Sequence, residues 1–80
     1  PERILVVDGS SGSKAILDRV MKLRADGVSV DYVSSGAVID AISYYNQRFF
    51  SAMVNISRDG SVQLTGKGST LLARLKTYFA

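Results

Sequence analysis

The sequence predicts an α/β domain of three layers, with a small mixed sheet and elements in the order β-α-β-α-β-β-α. Short segments with strand character alternate with segments whose apolar residues recur every three or four positions, as in helices that bury one face. Because crossovers between parallel strands are right-handed, we expect the first three strands to be parallel. An Asp-Gly turn after the third strand makes the fourth antiparallel.

Four segments have the residue pattern of strands: Ile4–Val7, Val28–Val33, Phe49–Ile56 and Ser61–Thr65. The first is a continuous apolar run, typical of a strand buried on both faces. The second alternates apolar and polar residues and is expected to have one wet face. Alternation in the third places Phe50 in the core, on the same face as Ala52, Val54 and Ile56 and opposite Met53. The fourth follows Arg58–Gly60, where Asp-Gly suits the positive φ of a tight turn.

Three segments have the pattern of helices: from Ser13 or Lys14 to Ala25, from Val38 to Tyr45, and from Ser69 through Phe79. Each carries an apolar stripe with which a helix packs on a sheet. Gly27 is expected to end the first helix in a left-handed conformation, and Ser69 to cap the last one.

Length and composition limit the class of protein. The 80 residues make a single domain over 1–80, and because the chain begins at Pro1 we expect it to be part of a longer protein. No apolar run approaches the roughly 20 residues of a membrane span, and the absence of Cys fits a reducing compartment. We therefore expect no membrane partner and an intracellular location, cytoplasmic or nuclear. The net charge of +3 favours an anionic partner such as nucleic acid, with a merely solvated basic surface as the alternative.

An enzyme is the least expected function, because the residues that catalysis and metal binding need are scarce. The chain has no His and no Cys, and its single glutamate is Glu2. We expect no catalytic residue, no metal, no cofactor and no small-molecule substrate. Asp8 is the acid best placed for Mg²⁺, but such a site needs a further carboxylate or a substrate phosphate. The alternative for Asp8 is an Asx turn that ends the strand.

Two groups of residues are candidate binding sites. The turn between the first strand and the first helix offers backbone amides and a lysine to an anion, through Gly9, Ser10, Gly12 and Lys14. The pattern of a nucleotide-binding phosphate loop is not met, since Ser13 replaces its second glycine, and a plain capping turn is the alternative. The second group combines basic, aromatic and amide side chains suited to phosphates and unpaired RNA bases: Arg48, Phe49, Asn55, Arg58 and Lys67.

The segment Leu23–Val30, with Leu-Arg at a helix end and Gly before an apolar strand, resembles the anticodon-binding domain of class II aminoacyl-tRNA synthetases of the histidyl, prolyl and threonyl type. The similarity continues through Tyr45–Arg48 into the third strand, the hairpin and the last helix, and so spans the chain. After the third strand the family usually has Gly and Glu, where this chain has Ser57–Asp59, so no base-contacting residue is carried over. The resemblance implies a non-catalytic module that binds tRNA-like or structured RNA.

Residues 3–57 also resemble the receiver domain of response regulators, through the strand ending at Asp8 and through Val30–Gly36. That family needs a second acid where this chain has Gly9 and an acceptor aspartate where it has Asn55. It also continues with two further strand–helix units. The resemblance implies a phosphorylation-independent pseudo-receiver that acts as a protein-interaction or dimerisation module, with a protein partner or a second copy of the chain. A fourth strand parallel to the third would favour this alternative.

Overall fold

The fold is an α/β sheet, and a computed structural model describes residues 2–10, 12–34 and 50–79, in which both helices lie on one face of the sheet. The strands are β1 (Arg3–Asp8), β2 (Ser29–Ser34), β3 (Ala52–Ile56) and β4 (Val62–Gly66), and the helices are α1 (Lys14–Ala25) and α2 (Ser69–Phe79). The strand order is β2-β1-β3-β4, with β1 parallel to β2 and β3, and β4 antiparallel to β3. The predicted mixed sheet is confirmed. The predicted helix at Val38–Tyr45 lies outside the described residues.

β1 lies inside the sheet and is buried on both of its faces. Ile4 and Val6 belong to the core on the helical side, whereas Leu5 and Val7 belong to a second cluster on the opposite side. All four side chains are essentially without exposure. A strand with a neighbour on each side and a core on each face needs such an unbroken apolar run.

Both described helices pack on the same face of the sheet. The buried residues of their stripes are Ile16, Val20 and Leu23 in α1 and Leu71, Leu75 and Phe79 in α2. They form one core with the inward-facing residues of β1, β2 and β3. The three- and four-residue spacing therefore identifies the buried face of each helix correctly.

Gly27 ends α1 as predicted. Its φ is +88°, its amide donates to the carbonyl oxygen of Arg24 at 3.1 Å, and the amide of Val28 donates to that of Leu23 at 3.0 Å. This pair of bonds is a Schellman motif, which satisfies carbonyls that the helix leaves unpaired. It turns the chain back so that β2 can begin at Ser29.

The turn between β3 and β4 also follows the prediction. Gly60 has a φ of +89°, and its amide donates to the carbonyl oxygen of Ser57 at 2.9 Å. The amide of Ser61 donates to the carboxylate of Asp59 at 2.9 Å. The Asp-Gly pair thus closes a hairpin and makes β4 antiparallel.

Phe50 is buried as predicted, but on the other face of the sheet. It packs with Leu5, Val7 and Met53, on the face opposite α1 and α2. The strand begins only at Ala52, so the two-residue alternation does not extend back to residue 50. The guanidinium of Arg3 lies 5.0 Å from the centroid of the Phe50 ring.

Gly9 is the point at which the turn after β1 approaches β3 most closely. Its amide donates to the carbonyl oxygen of Ile56 at 2.7 Å. A Cβ at residue 9 would lie 2.6 Å from that same oxygen. Any side chain at this position would therefore force the backbone of the turn away from β3.

We expect Gly9→Ala to lower the free energy of unfolding by about 2 kcal/mol, because the added methyl group overpacks a backbone contact. Urea unfolding followed by circular dichroism measures this loss. Gly68→Ala is the control, since a Cβ there comes no closer than 3.9 Å to Leu71, and we expect a loss below about 1 kcal/mol from the change at the helix start. Equal losses in the two variants would contradict the close approach at residue 9.

Candidate nucleic-acid interface at the carboxyl end of the sheet

The three parallel strands end side by side, and the turns that follow β1 and β3 meet there. Asp8 is in register with Ser34 of β2 and with Ile56 of β3. We call the ends of these strands, together with the described residues of the turn after β1 (9, 10, 12 and 13) and the turn at 57–61, the carboxyl end of the sheet. Ligands of open α/β sheets bind at this end.

The carboxylate of Asp8 is fully buried and receives its hydrogen bonds from the protein. Its Oδ1 accepts from the amide of Ser10 at 2.8 Å and from the Ser10 hydroxyl. Its Oδ2 accepts from the hydroxyl of Tyr32 at 2.6 Å, and the amide of Gly12 is a further donor. The bond to the amide two residues ahead is the Asx turn that the sequence offers as an alternative to a metal site.

These contacts determine the protonation of both partners. Burial raises the pKa of Asp8, but the hydrogen bonds from Ser10, Tyr32 and Gly12 outweigh it, so that the net pKa is lowered. Burial, with the hydrogen bond and negative charge of Asp8, raises the pKa of Tyr32 to about 12. At neutral pH, Asp8 is therefore ionised and Tyr32 is a protonated donor.

The turn predicted to bind an anion donates hydrogen bonds to an anionic group of the chain itself, the carboxylate of Asp8. The amides of Ser10 and Gly12 donate to the Asp8 carboxylate, and that of Gly9 donates to Ile56. Lys14 forms an exposed ion pair with Asp18, with 3.0 Å between Nζ and Oδ2. In this turn the carboxylate of Asp8 thus stands where a phosphate would, and Ser13 makes no side-chain hydrogen bond at the start of α1.

The second predicted group is divided between the two ends of the sheet. Asn55 and Arg58 lie at the carboxyl end, in β3 and in the turn that follows it. Lys67 follows Gly66, which pairs with the first residue of β3, so Lys67 lies at the opposite end. Arg48 and Phe49 lie outside the described residues. The structure therefore brings Asn55 and Arg58 together with the turn at Gly9 and separates Lys67 from them.

Arg58 lies against the turn that follows β1. A Cβ at residue 9 would be 3.6 Å from the amide nitrogen of Arg58. The residue is exposed, and its guanidinium forms no ion pair with any described residue. Asn55 is half-buried on the sheet face opposite the helices, beside Val7 in the register. A cation and an amide thus occupy neighbouring positions at one end of the sheet.

Several cations of the described residues have no carboxylate partner. Ion pairs join Arg3 to Asp31, Lys14 to Asp18, Lys22 to Asp26, and Arg74 to Glu2. Within residues 2–10, 12–34 and 50–79, the cations outside these pairs are Arg19, Arg24, Arg58, Lys67 and Lys76. The described surface therefore carries positive charge available to an anionic partner.

Tyr32 is the residue of this site that the sequence analysis missed. Alternation in β2 puts it on the same face as the buried Val30, beneath the helices. A hydroxyl on a half-buried face needs a hydrogen-bond partner, and that requirement is the signal available in the sequence. The partner itself, 24 positions away, follows only from the pairing of β1 with β2.

Comparison with known proteins assigns no family: neither a family model nor a curated protein nor a solved structure matches this chain. Among the described residues, no three His, Cys, Asp or Glu side chains are grouped to hold a metal ion. Neither α1 nor α2 is long and apolar enough to cross a membrane. A function for the chain therefore has to be inferred from its own geometry.

We expect Tyr32→Phe to lower the free energy of unfolding at pH 7 by about 1–3 kcal/mol, because a buried carboxylate oxygen loses its donor. Urea unfolding measures this change. Tyr78→Phe is the matched control: its hydroxyl donates at 2.6 Å to Asp26, whose carboxylate is open to water, and we expect less than about 1 kcal/mol. Equal effects would contradict a special role for the Asp8 bond.

The contribution of Asp8 to stability depends on pH. Since its folded-state pKa lies below the ordinary value of 3.8, this contribution is complete above that value and is lost as the pH falls through the folded-state pKa. Tyr32→Phe removes a bond that lowers the pKa, so the folded-state pKa of Asp8 rises toward or past the unfolded value and we expect a smaller acid-induced loss of stability than in the original chain. Thermal unfolding between about pH 2 and pH 6 tests this, and superimposable profiles would contradict it.

Proposed function

We propose that this chain is a non-catalytic RNA-binding module of the anticodon-binding-domain type, which holds phosphates and unpaired bases at the carboxyl end of its sheet. The observation that carries the proposal is the position of Arg58. It is an exposed cation without an acidic partner among the described residues, in a turn packed against the turn at Gly9.

The topology supports this plan over a receiver domain. The hairpin makes β4 antiparallel, and α2 follows it directly, as in the anticodon-binding resemblance. A receiver would continue instead with parallel strand–helix units. The receiver's second acid is also incompatible with the backbone here, since even a Cβ at residue 9 would lie 2.6 Å from Ile56 O.

The residues at the carboxyl end have complementary roles in the proposed interface. The guanidinium of Arg58 suits a phosphate, to which it can donate two parallel hydrogen bonds. The amide of Asn55 can donate to and accept from the edge of an unpaired base. Asp8 does not compete for the RNA, because its carboxylate is buried and occupied by donors of the protein.

We expect Arg58→Ala to weaken binding of a tRNA stem-loop several-fold and to reduce the dependence of the logarithm of affinity on the logarithm of salt concentration by about one. Fluorescence anisotropy between about 50 and 200 mM salt measures both quantities. Lys67→Ala is the matched control, because it removes the same charge at the opposite end of the sheet. Equal losses would indicate non-specific attraction, and no binding by the original chain at about 50 mM salt would overturn the proposal.

A protein-interaction module is the second candidate, and the outer face of α1 favours it. Met21 is 61% exposed and Leu17 is 40% exposed, and they lie four residues apart on one side of the helix. Large apolar side chains that share an exposed helix face are typical of contact with another protein.

If this face joins two copies of the chain, Met21→Gln will weaken the dimer, because it replaces an apolar contact with a polar one. Sedimentation velocity over a range of concentrations measures the association. Arg58→Ala serves as the control and should leave it unchanged. A monomeric original chain at high concentration would contradict self-association through α1.

A further inference from the structure

The outer side of β4 is a second feature with the properties of a binding surface. β4 stands last in the strand order, and among the described residues it pairs only with β3. Its sequence, Val62–Gly66, contains neither a charged residue nor a proline. Those are the residues that commonly protect a terminal strand from pairing with another chain, so the outer side of β4 can accept a further strand.

The hairpin determines which backbone groups of β4 point outward. The amide of Ser57 donates to the carbonyl oxygen of Ser61, and hydrogen-bonded pairs alternate with non-bonded pairs along an antiparallel ladder. In the observed register, Gln63 and Thr65 therefore direct their backbone groups to β3. The amides and carbonyls of Val62, Leu64 and Gly66 point to the outer side.

A groove of about 360 Å³ lies between β4 and α2, on the helical face of this terminal strand. Its lining residues are Val62, Leu64, Phe79 and Lys76. Val62 and Leu64 are half-buried, so their side chains keep apolar surface open to a partner. Lys76 is exposed and forms no ion pair with a described residue.

We propose that the outer side of β4 and this groove bind an extended acidic peptide, which adds a fifth strand to the sheet. Backbone hydrogen bonds to Val62, Leu64 and Gly66 would hold the peptide, as in other cases of strand addition. Alternate apolar side chains of the peptide pack on Val62 and Leu64, and a carboxylate pairs with Lys76.

The charges favour an acidic peptide over a second copy of the chain. Two copies paired through β4 would bring a second Lys76 to the same groove, and each copy carries a net charge of +3. An acidic peptide instead supplies the carboxylate that Lys76 lacks among the described residues.

The probe is an acetylated and amidated seven-residue peptide in which valine alternates with threonine and two glutamates stand at one end. Titrating it into the isotope-labelled chain should give saturable amide shifts at Val62, Leu64 and Gly66 in nuclear magnetic resonance spectra. A peptide with lysines in place of the glutamates should bind roughly tenfold more weakly. Lys76→Glu should reverse this preference, and Lys67→Glu, which changes the net charge equally outside the groove, should retain it.

Three results would overturn the proposal. The first is the absence of saturable shifts in β4. The second is an equal effect of Lys76→Glu and Lys67→Glu, which would indicate attraction by net charge alone. The third is a set of β4 shifts that depends on protein concentration without peptide, which would assign this surface to a second copy of the chain. Arg58→Ala should leave peptide binding unchanged, so the test is separate from that of RNA binding.

Discussion

A buried carboxylate must receive hydrogen bonds from the protein, and Asp8 imposes this requirement at the end of the central strand. The turn after β1 folds back so that Ser10 and Gly12 can donate to it, and Tyr32 joins β2 to the same group. Because the turn folds back in this way, the backbone of Gly9 contacts the carbonyl oxygen of Ile56, and only a residue without a side chain fits there. The arrangement of the carboxyl end, including the contact of Gly9 with the turn at Arg58, follows from this one group.

Local patterns in the sequence were sufficient to predict most of the described fold. The apolar run of Ile4–Val7, the stripes of both helices, the left-handed Gly27 and the Asp-Gly hairpin each depend on residues close together in the chain. The parallel and antiparallel pairings followed because connection length and turn type restrict how neighbouring strands can join. The exact start of β3 was not predictable in this way, and the three residues between the predicted start at Phe49 and the observed start at Ala52 were enough to assign Phe50 to the wrong face.

The candidate site was less predictable, because it depends on contacts between residues far apart in sequence. Arg58 and Lys67 are nine positions apart and look equivalent as exposed cations. Arg58 precedes β4 and Lys67 follows it, so the length of this strand places them at opposite ends of the sheet. The glycine-rich turn looked open to an external anion, because the local sequence offers an Asx turn at Asp8 only as one alternative and does not show that the carboxylate is buried. The same applies to Tyr32, whose role depends on the register between β1 and β2.

The internal use of Asp8 changes how a small basic domain of this kind can bind an anionic ligand. A glycine-rich turn with free amides would concentrate binding at its own helix N-terminus. Here the amides of Ser10 and Gly12 donate to the chain's own carboxylate, and the exposed cations without a carboxylate partner among the described residues are the positive groups that remain available to an anion. Arg58 and Lys76 lie on different surfaces, one in the turn beside Gly9 and the other in the groove between β4 and α2. The two proposed surfaces therefore each depend on an exposed cation, whereas the described amides of Ser10 and Gly12 already donate to a carboxylate of the chain itself.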